Sequence, residues 1–376
     1  KALLGYSAAG SRFLFGSLID HVVPVGTPNP VDPFGALVPL SADGGAPMLV
    51  GTGAFFAFNV LPTIIFFSAL MAVLYHLGVM QLAVRAMGSL MQRTMGTSGA
   101  ESLSAAANIF VGQTEAPLVI KPYVGTMTMS ELNAVMTGGF ATVAGGVMAA
   151  YVGMLSGVFP DIAGHLIAAS VMSAPAALVV AKIMWPEDGN PSTRGDATLS
   201  IPSTDVNVVD AAARGAGEGL SLALNVGAML LAFIALAALV NGLLGAASTA
   251  AGLPSPLTME GMLGVLFWPF AFAMGVPAGE CAAVGQLLGV KTVLNEFVAY
   301  LQLAHSADGL SRRSMIIVTY ALCGFANLGS IGIQLGGIGA IAPERRSDLA
   351  RLGVRAMVAG TLAAFLTANV AGTLLS

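Results

Sequence analysis

Asn108-Ile109-Phe110-Val111-Gly112-Gln113-Thr114-Glu115-Ala116-Pro117 puts an amide, a hydroxyl and a carboxylate at one point of an otherwise apolar stretch. Gly112 and Pro117 both interrupt helix, so the backbone turns here and leaves N–H and C=O groups without helical partners. Inside a bilayer such a turn is tolerated only against protein, a cavity or a ligand. The stretch Gly99–Lys121 is therefore predicted to be a half-crossing hairpin with Glu115 at its tip. A carboxylate near the bilayer centre costs about 2.5–3.5 kcal/mol, which makes Glu115 a functional candidate. A structural Glu satisfied by its neighbours is the alternative, and the adjacent Gln113 and Thr114 favour a ligand.

The rest of the chain supports a membrane setting. Of its 376 residues 56% are hydrophobic and only 9% charged, against roughly 25% charged in a soluble domain. Uncharged runs near Phe55–Tyr75, Leu132–Tyr151, Ile162–Ala181, Leu220–Leu243, Met315–Leu335 and Ala356–Ser376 each reach the ~20 residues that cross a hydrocarbon layer. Residues 1–54 read as an interfacial helix followed by a Pro- and Gly-rich extramembrane connector. A polar linker at 185–213 divides the remainder into 55–184 and 214–376.

These two parts resemble each other. Met95-Gly96-Thr97-Ser98-Gly99-Ala100-Glu101 matches Met274-Gly275-Val276-Pro277-Ala278-Gly279-Glu280, Thr114-Glu115 matches Asn295-Glu296, and Gly139-Phe140-Ala141-Thr142 matches Gly324-Phe325-Ala326-Asn327. In one order and at similar separations, they predict a structural repeat with hairpins at about 99–124 and 280–304. Three full crossings per copy is an odd number, so the second copy enters from the opposite side and the repeat is inverted. The basic residues agree. With the first hairpin opening from the cytoplasm, Arg85, Arg93, Lys121, Lys182, Arg194, Arg214, Arg345, Arg346, Arg351 and Arg355 fall inside. Lys291, Arg312 and Arg313 fall outside. The fold class is then an all-α polytopic membrane protein, an inverted repeat of spans with two re-entrant helical hairpins.

Glu296 inherits the reasoning applied to Glu115, with pairing to Lys291 as its structural alternative. Glu101 and Glu280 read as structural acids at the hairpin bases. Each hairpin is followed by a Gly-broken span whose unwinding would free carbonyl oxygens. With the oxygens of Asn108 and Thr142 these suit a hard cation such as Na⁺, although close helix packing explains the glycines equally well. Cys281 and Cys323 have no metal-type spacing, and His21, His76, His165 and His305 are scattered. Neither a hydrolytic nucleophile set nor a phosphate-cradling loop is present, so an enzyme is not expected and a gradient must supply the work. A net charge of −4 without a basic, aromatic-rich patch argues against nucleic acid.

The motifs Gly112-Gln113-Thr114-Glu115-Ala116-Pro117, Asn295-Glu296-Phe297-Val298-Ala299-Tyr300 and Gly324-Phe325-Ala326-Asn327 resemble the concentrative nucleoside transporters, bacterial members most of all, from about Phe13 to the end. The resemblance implies a multi-pass protein of the bacterial inner (plasma) membrane, a homotrimer whose protomers each have scaffold and transport parts, and Na⁺ as coupling ion with no organic cofactor. Members usually carry further spans upstream, which implies an N-terminal piece before Lys1. By matching positions, Gln113, Thr114, Glu115 and Val147 would meet the base of a nucleoside such as uridine. Glu296, Asn327 and Ser330 would hold the ribose, with Phe325 packing beside it. Asn108, Val111, Thr142 and Val143 would form the cation site, Thr142 standing where Ser is frequent. The alternative is an H⁺-coupled nucleoside or nucleobase transporter of the same architecture.

Overall fold

The computed structural model describes residues 2–15, 22–24, 26–28, 37–39, 49–51, 61–194, 205–253 and 255–375. Helix α1 (Ala2–Phe15) is tied to the next helix by the Ser7 hydroxyl, which donates to Thr63 Oγ1 at 3.1 Å. In the connector, β1 (Val22–Pro24) pairs with β4 (Leu49–Gly51), and β2 (Gly26–Pro28) with β3 (Leu37–Pro39), all antiparallel. The remaining described residues are helical or in short turns.

Helix α2 (Leu61–His76) is followed by α3 (Val79–Met95) after a bend of 77° at Gly78, whose φ of 80° is left-handed. Met80, Val84, Gly88 and Met91 are the buried stripe of α3, the spacing of an amphipathic helix. A capping box of Ser98 and Glu101 starts α4 (Gly99–Asn108), and each side chain satisfies the other's backbone N–H. The chain turns through 109–115, then forms a 3₁₀ turn at Ala116–Ile120 and α5 (Lys121–Val124). A second capping box, Thr128 with Glu131, starts α6 (Met129–Ala141), which breaks at 142–144 before α7 (Gly145–Leu155). Helix α8 (Ile162–Met184) closes this half.

The second half repeats the order. Helix α9 (Val208–Ala250), capped by the Asn207 side chain, leads to α10 (Met259–Ala273). A hairpin of α11 (Cys281–Val293) and α12 (Glu296–Ser306) follows. Then come α13 (Arg312–Leu322), a break at 323–327, α14 (Leu328–Ile341), and α15 (Arg346–Leu374).

The uncharged runs Leu132–Tyr151 and Met315–Leu335 are each two helices with a break between them, as their glycines predict. The helices α3 and α10 lie outside the uncharged runs, because Arg85 and Arg93 interrupt the first and the second has only 15 residues. The run near Phe55–Tyr75 falls on α2, with 55–60 outside the described residues.

Burial concentrates on the hairpins and broken helices. Every residue of α4 is buried, as is α6 from Ser130 to Ala141. One apolar core gathers α3, α4 and α6, and a second gathers α7 and α11 to α13. Phe110 and Val111 pack on the first, while Val147 belongs to the second and Phe325 packs against it. Helix α15 runs across both halves and approaches α6 so closely that a Cβ at Gly360 would lie 2.4 Å from Phe140 Cβ. Backbones meet this way where small residues line helix contacts in lipid. Leu220, Leu224, Leu231, Leu239 and Leu243 of α9 face outward and are exposed, as expected of a surface that lipid or another membrane protein covers.

Candidate functional site

The two breaks touch. Phe325 N–H donates to Thr142 O at 3.3 Å, and Gly324, at a φ of 135°, passes so close that a Cβ there would lie 2.7 Å from Phe140 O. Around this crossing a continuous chain of hydrogen bonds joins the two hairpins. Gln334 Nε2 of α14 donates to Gln113 Oε1 at 3.0 Å and to Met136 O at 3.0 Å. Gln113 Nε2 donates to Ser330 Oγ at 3.2 Å. Ser330 N–H donates to Asn327 Oδ1 at 2.9 Å, and Asn327 Nδ2 donates to Glu296 Oε2 at 3.0 Å. The Tyr151 hydroxyl completes the chain, donating to Glu296 Oε1 at 3.0 Å.

Local structure explains why these groups converge. Asn295 caps α12 and Asn327 caps α14, so Glu296 opens the first turn of one half-helix and lies beside the start of another. Helix N-termini carry partial positive charge and favour a carboxylate. Glu296 is only 5% exposed, and burying a charge on this scale requires such donors. The Tyr151 ring packs at 4.4 Å from the Tyr300 ring and 5.3 Å from that of Phe297, which fixes its hydroxyl.

Glu115 differs. Its Oε2 accepts the Gly112 N–H at 2.8 Å, closing the hairpin turn, and the residue is exposed. Thr114 rests its methyl against α14, where a Cβ at Gly337 would lie 2.7 Å from Thr114 Cγ2. Val147 is buried near the start of α7. The structure thus links Gln113, Ser330, Asn327 and Glu296 directly, whereas Thr114, Glu115, Val147 and Phe325 stand outside the hydrogen-bonded chain.

The four residues of the expected cation site also gather at a break. Asn108 ends α4, and its Nδ2 donates to Ser104 O at 3.1 Å. Its Oδ1 is buried without a hydrogen-bond partner among the described residues. The Thr142 hydroxyl donates to Gly138 O at 2.8 Å. Neighbouring carbonyls are occupied, Phe110 O by Gly145 N–H and Ile109 O by the Ser170 hydroxyl. Among the described residues no hydrogen bond reaches Val111 O or Val143 O. An orphaned amide oxygen beside free carbonyls is a donor set that fits a hard cation.

The remaining acids hold the hairpin bases. Glu101 pairs with Lys182 at 2.8 Å, and Glu280 Oε2 accepts both the N–H and the hydroxyl of Ser311 at 3.0 Å. Lys291 does not pair with Glu296: its ammonium donates to Ala321 O at 2.8 Å.

Sequence reasoning missed Tyr151 and Gln334. Gln334 could have been found, because it is the lone amide in the apolar run Ile331–Ile341. Tyr151 carried no such signal, since a Tyr at the end of an apolar run such as Leu132–Tyr151 is ordinary.

Comparison with known proteins gives consistent results. A family model described as Na⁺ dependent nucleoside transporter C-terminus matches residues 165–372, and one described as Gate, nucleoside recognition, matches residues 57–157. The nucleoside permease NupC of Helicobacter pylori is 43% identical over 379 residues, covering 99% of this chain and 82% of that protein. The structure of CNTnw in an inward-facing substrate-bound state aligns with a TM-score of 0.84 at 46% identity, covering 99% of this chain and 82% of the other. A CNTnw variant in an outward-facing state aligns with a TM-score of 0.84 at 46% identity, over 100% and 83%.

Proposed function

The chain belongs to the concentrative nucleoside transporter family, and from that premise we propose that it imports nucleosides such as uridine by Na⁺ symport. The observation that carries this reading is the hydrogen-bonded chain from Gln113 at one hairpin to Glu296 at the other. It runs through Ser330 and Asn327 at the α13–α14 break.

A nucleoside presents hydroxyl donors on the ribose and a mixed donor and acceptor edge on the base. Each oxygen of Glu296 accepts one side-chain hydrogen bond, and a carboxylate has about four acceptor sites in all, so capacity remains for ribose hydroxyls. Asn327 and Ser330 flank it, and Phe325 gives an apolar wall. Gln113 reads the base edge after giving up its bond to Ser330. Thr114 and Val147 bound the base pocket, and exposed Glu115 faces it. Na⁺ is carried at Asn108, Val111, Thr142 and Val143. One Na⁺ moving through 100 mV releases about 2.3 kcal/mol, which supports roughly fortyfold accumulation.

The two halves, 55–184 and 214–376, are proposed to enter the membrane from opposite sides with re-entrant hairpins, the larger share of basic residues facing the cytoplasm. Transport is by alternating access, in which the hairpin-bearing part moves against a scaffold. Three copies assemble, and the exposed leucines of α9 support that reading.

Purified protein in proteoliposomes tests the proposal. An inward Na⁺ gradient is expected to drive uridine uptake, and Glu296→Gln to abolish it while the protein still purifies as a single species. Undiminished uptake by that variant would remove the ribose role. Proton coupling is the second reading, because exposed Glu115 has one backbone N–H and no ion pair among the described residues. Replacing Na⁺ by choline at two pH values separates them: uptake that persists and follows the pH gradient favours the proton.

A further inference from the structure

Lys291 is 1% exposed, lies within the last turn of α11 and makes no ion pair among the described residues. Its one hydrogen bond goes to Ala321 O, in the last turn of α13. Isolated buried ammonium groups are costly, and an apolar side chain would fasten two helices at lower cost. A fixed positive charge at this point therefore calls for a use.

The first half shows what that use is. Asn108 stands at the end of α4, the helix equivalent to α11, and reaches the last turn of α6, the helix equivalent to α13. A Cβ at Gly138 would lie 3.2 Å from Asn108 Nδ2. At both places two helix C-termini converge, and their unpaired carbonyls and partial negative charge favour a cation. Among the described residues the α4–α6 junction holds no cationic side chain and leaves acceptors unpaired: buried Asn108 Oδ1 and the Val111 and Val143 carbonyls. The α11–α13 junction has the cation built in, on the end of a side chain.

We propose that Lys291 is a tethered cation which takes, in the second half, the place that the coupling Na⁺ takes in the first. This rests on the symport reading above. It makes Lys291 a positioning residue for Glu296 and the α13–α14 break. It also gives a reason for a single coupling ion: one of two symmetry-related cation positions is permanently filled, so only the first hairpin responds to Na⁺.

Simultaneous flux of radiolabelled Na⁺ and uridine in proteoliposomes tests this. The wild type is expected to move one Na⁺ per uridine. Lys291→Met, which keeps the length and loses the charge, is expected to lose uptake at every Na⁺ concentration. Lys291→Asn recreates the acceptors of the first half, so a second Na⁺ is expected to enter. Its uptake should recover only at high Na⁺, with the Hill coefficient for Na⁺ rising from about one to about two.

A Lys291→Met variant with wild-type Na⁺ dependence would overturn the inference. So would a monodisperse Lys291→Asn protein that stays inactive at all Na⁺ concentrations or keeps a coefficient of one. Should neither variant purify as a single species, the wild-type ratio decides, and two Na⁺ per uridine overturns it. Wild-type protein without any Na⁺-driven uridine uptake would remove the symport reading and this inference together, an outcome distinct from all the others.

Discussion

Glu296 and Glu115 are held in opposite ways. Glu296 is enclosed and receives two side-chain hydrogen bonds, while Glu115 is exposed and receives one from its own turn. A hydrogen bond to a charged group contributes about 1.5–3 kcal/mol, so Tyr151→Phe should weaken uridine binding about ten- to hundredfold. Calorimetric titration of the purified protein measures this, and an unchanged Kd would take Tyr151 out of the site. Gln334→Leu removes the donor to Gln113 Oε1 without touching either carboxylate or the residues proposed to hold the cation. It should raise the KM for uridine and leave the half-saturating Na⁺ concentration unchanged.

At the scale of elements, the breaks and the hairpin tips depend on how closely backbones approach. A Cβ at Gly139 would lie 2.8 Å from Gln334 Nε2 and 2.9 Å from Gln113 Cβ, so the last turn of α6 leaves room for both amides only as glycine. Overpacking of this kind costs about 1–3 kcal/mol, and Gly139→Ala should reduce uptake about tenfold or more. At Gly153 in α7 a Cβ would meet nothing within 4 Å, and Gly153→Ala should transport normally in the same assay.

The hairpin bases can be tested by pH. Partial burial of Glu280 disfavours its charge, but hydrogen bonds from Ser314 and from the Ser311 N–H and hydroxyl outweigh it and hold the carboxyl below the ordinary value of 4.5. Those bonds stabilise the ionised form, so the contribution is complete above 4.5 and is lost as pH falls through the lowered folded value. Glu280→Gln should therefore lower the melting midpoint at neutral pH, and the gap from wild type should close as the pH falls below 4.5. A gap independent of pH would show that the tie does not depend on the charge of Glu280.

At the scale of the whole molecule, the apolar side chains that the fold leaves outside include Leu231 and Leu239 of α9 and Val265 and Leu266 of α10. Lipid covers such a surface in a monomer, and a neighbouring subunit covers part of it in an assembly. Native mass measurement after detergent removal should give three times the 37.8 kDa chain mass, and a single-chain mass would remove the trimer. The two halves meet where the breaks cross, which makes the polar chain from Gln334 to Tyr151 a property of both halves and of neither alone.

The sequence by itself determined the membrane character, the helical class and the transporter family. Hydrophobic runs, breakers and an acid within an apolar stretch at each repeat position are local signals that depend on the solvent around the chain. Asn295 and Asn327 cap α12 and α14, and such capping is a local device that the structure brought to light. Which polar groups bond to one another was decided by tertiary structure alone. Gln113 reaches Ser330 across 217 positions and Tyr151 reaches Glu296 across 145, and no periodicity encodes a contact at that range. The same holds for Lys291, five residues from Glu296 in sequence yet bonded to Ala321: the end of α13 sets a carbonyl within its reach, a contact across 30 positions.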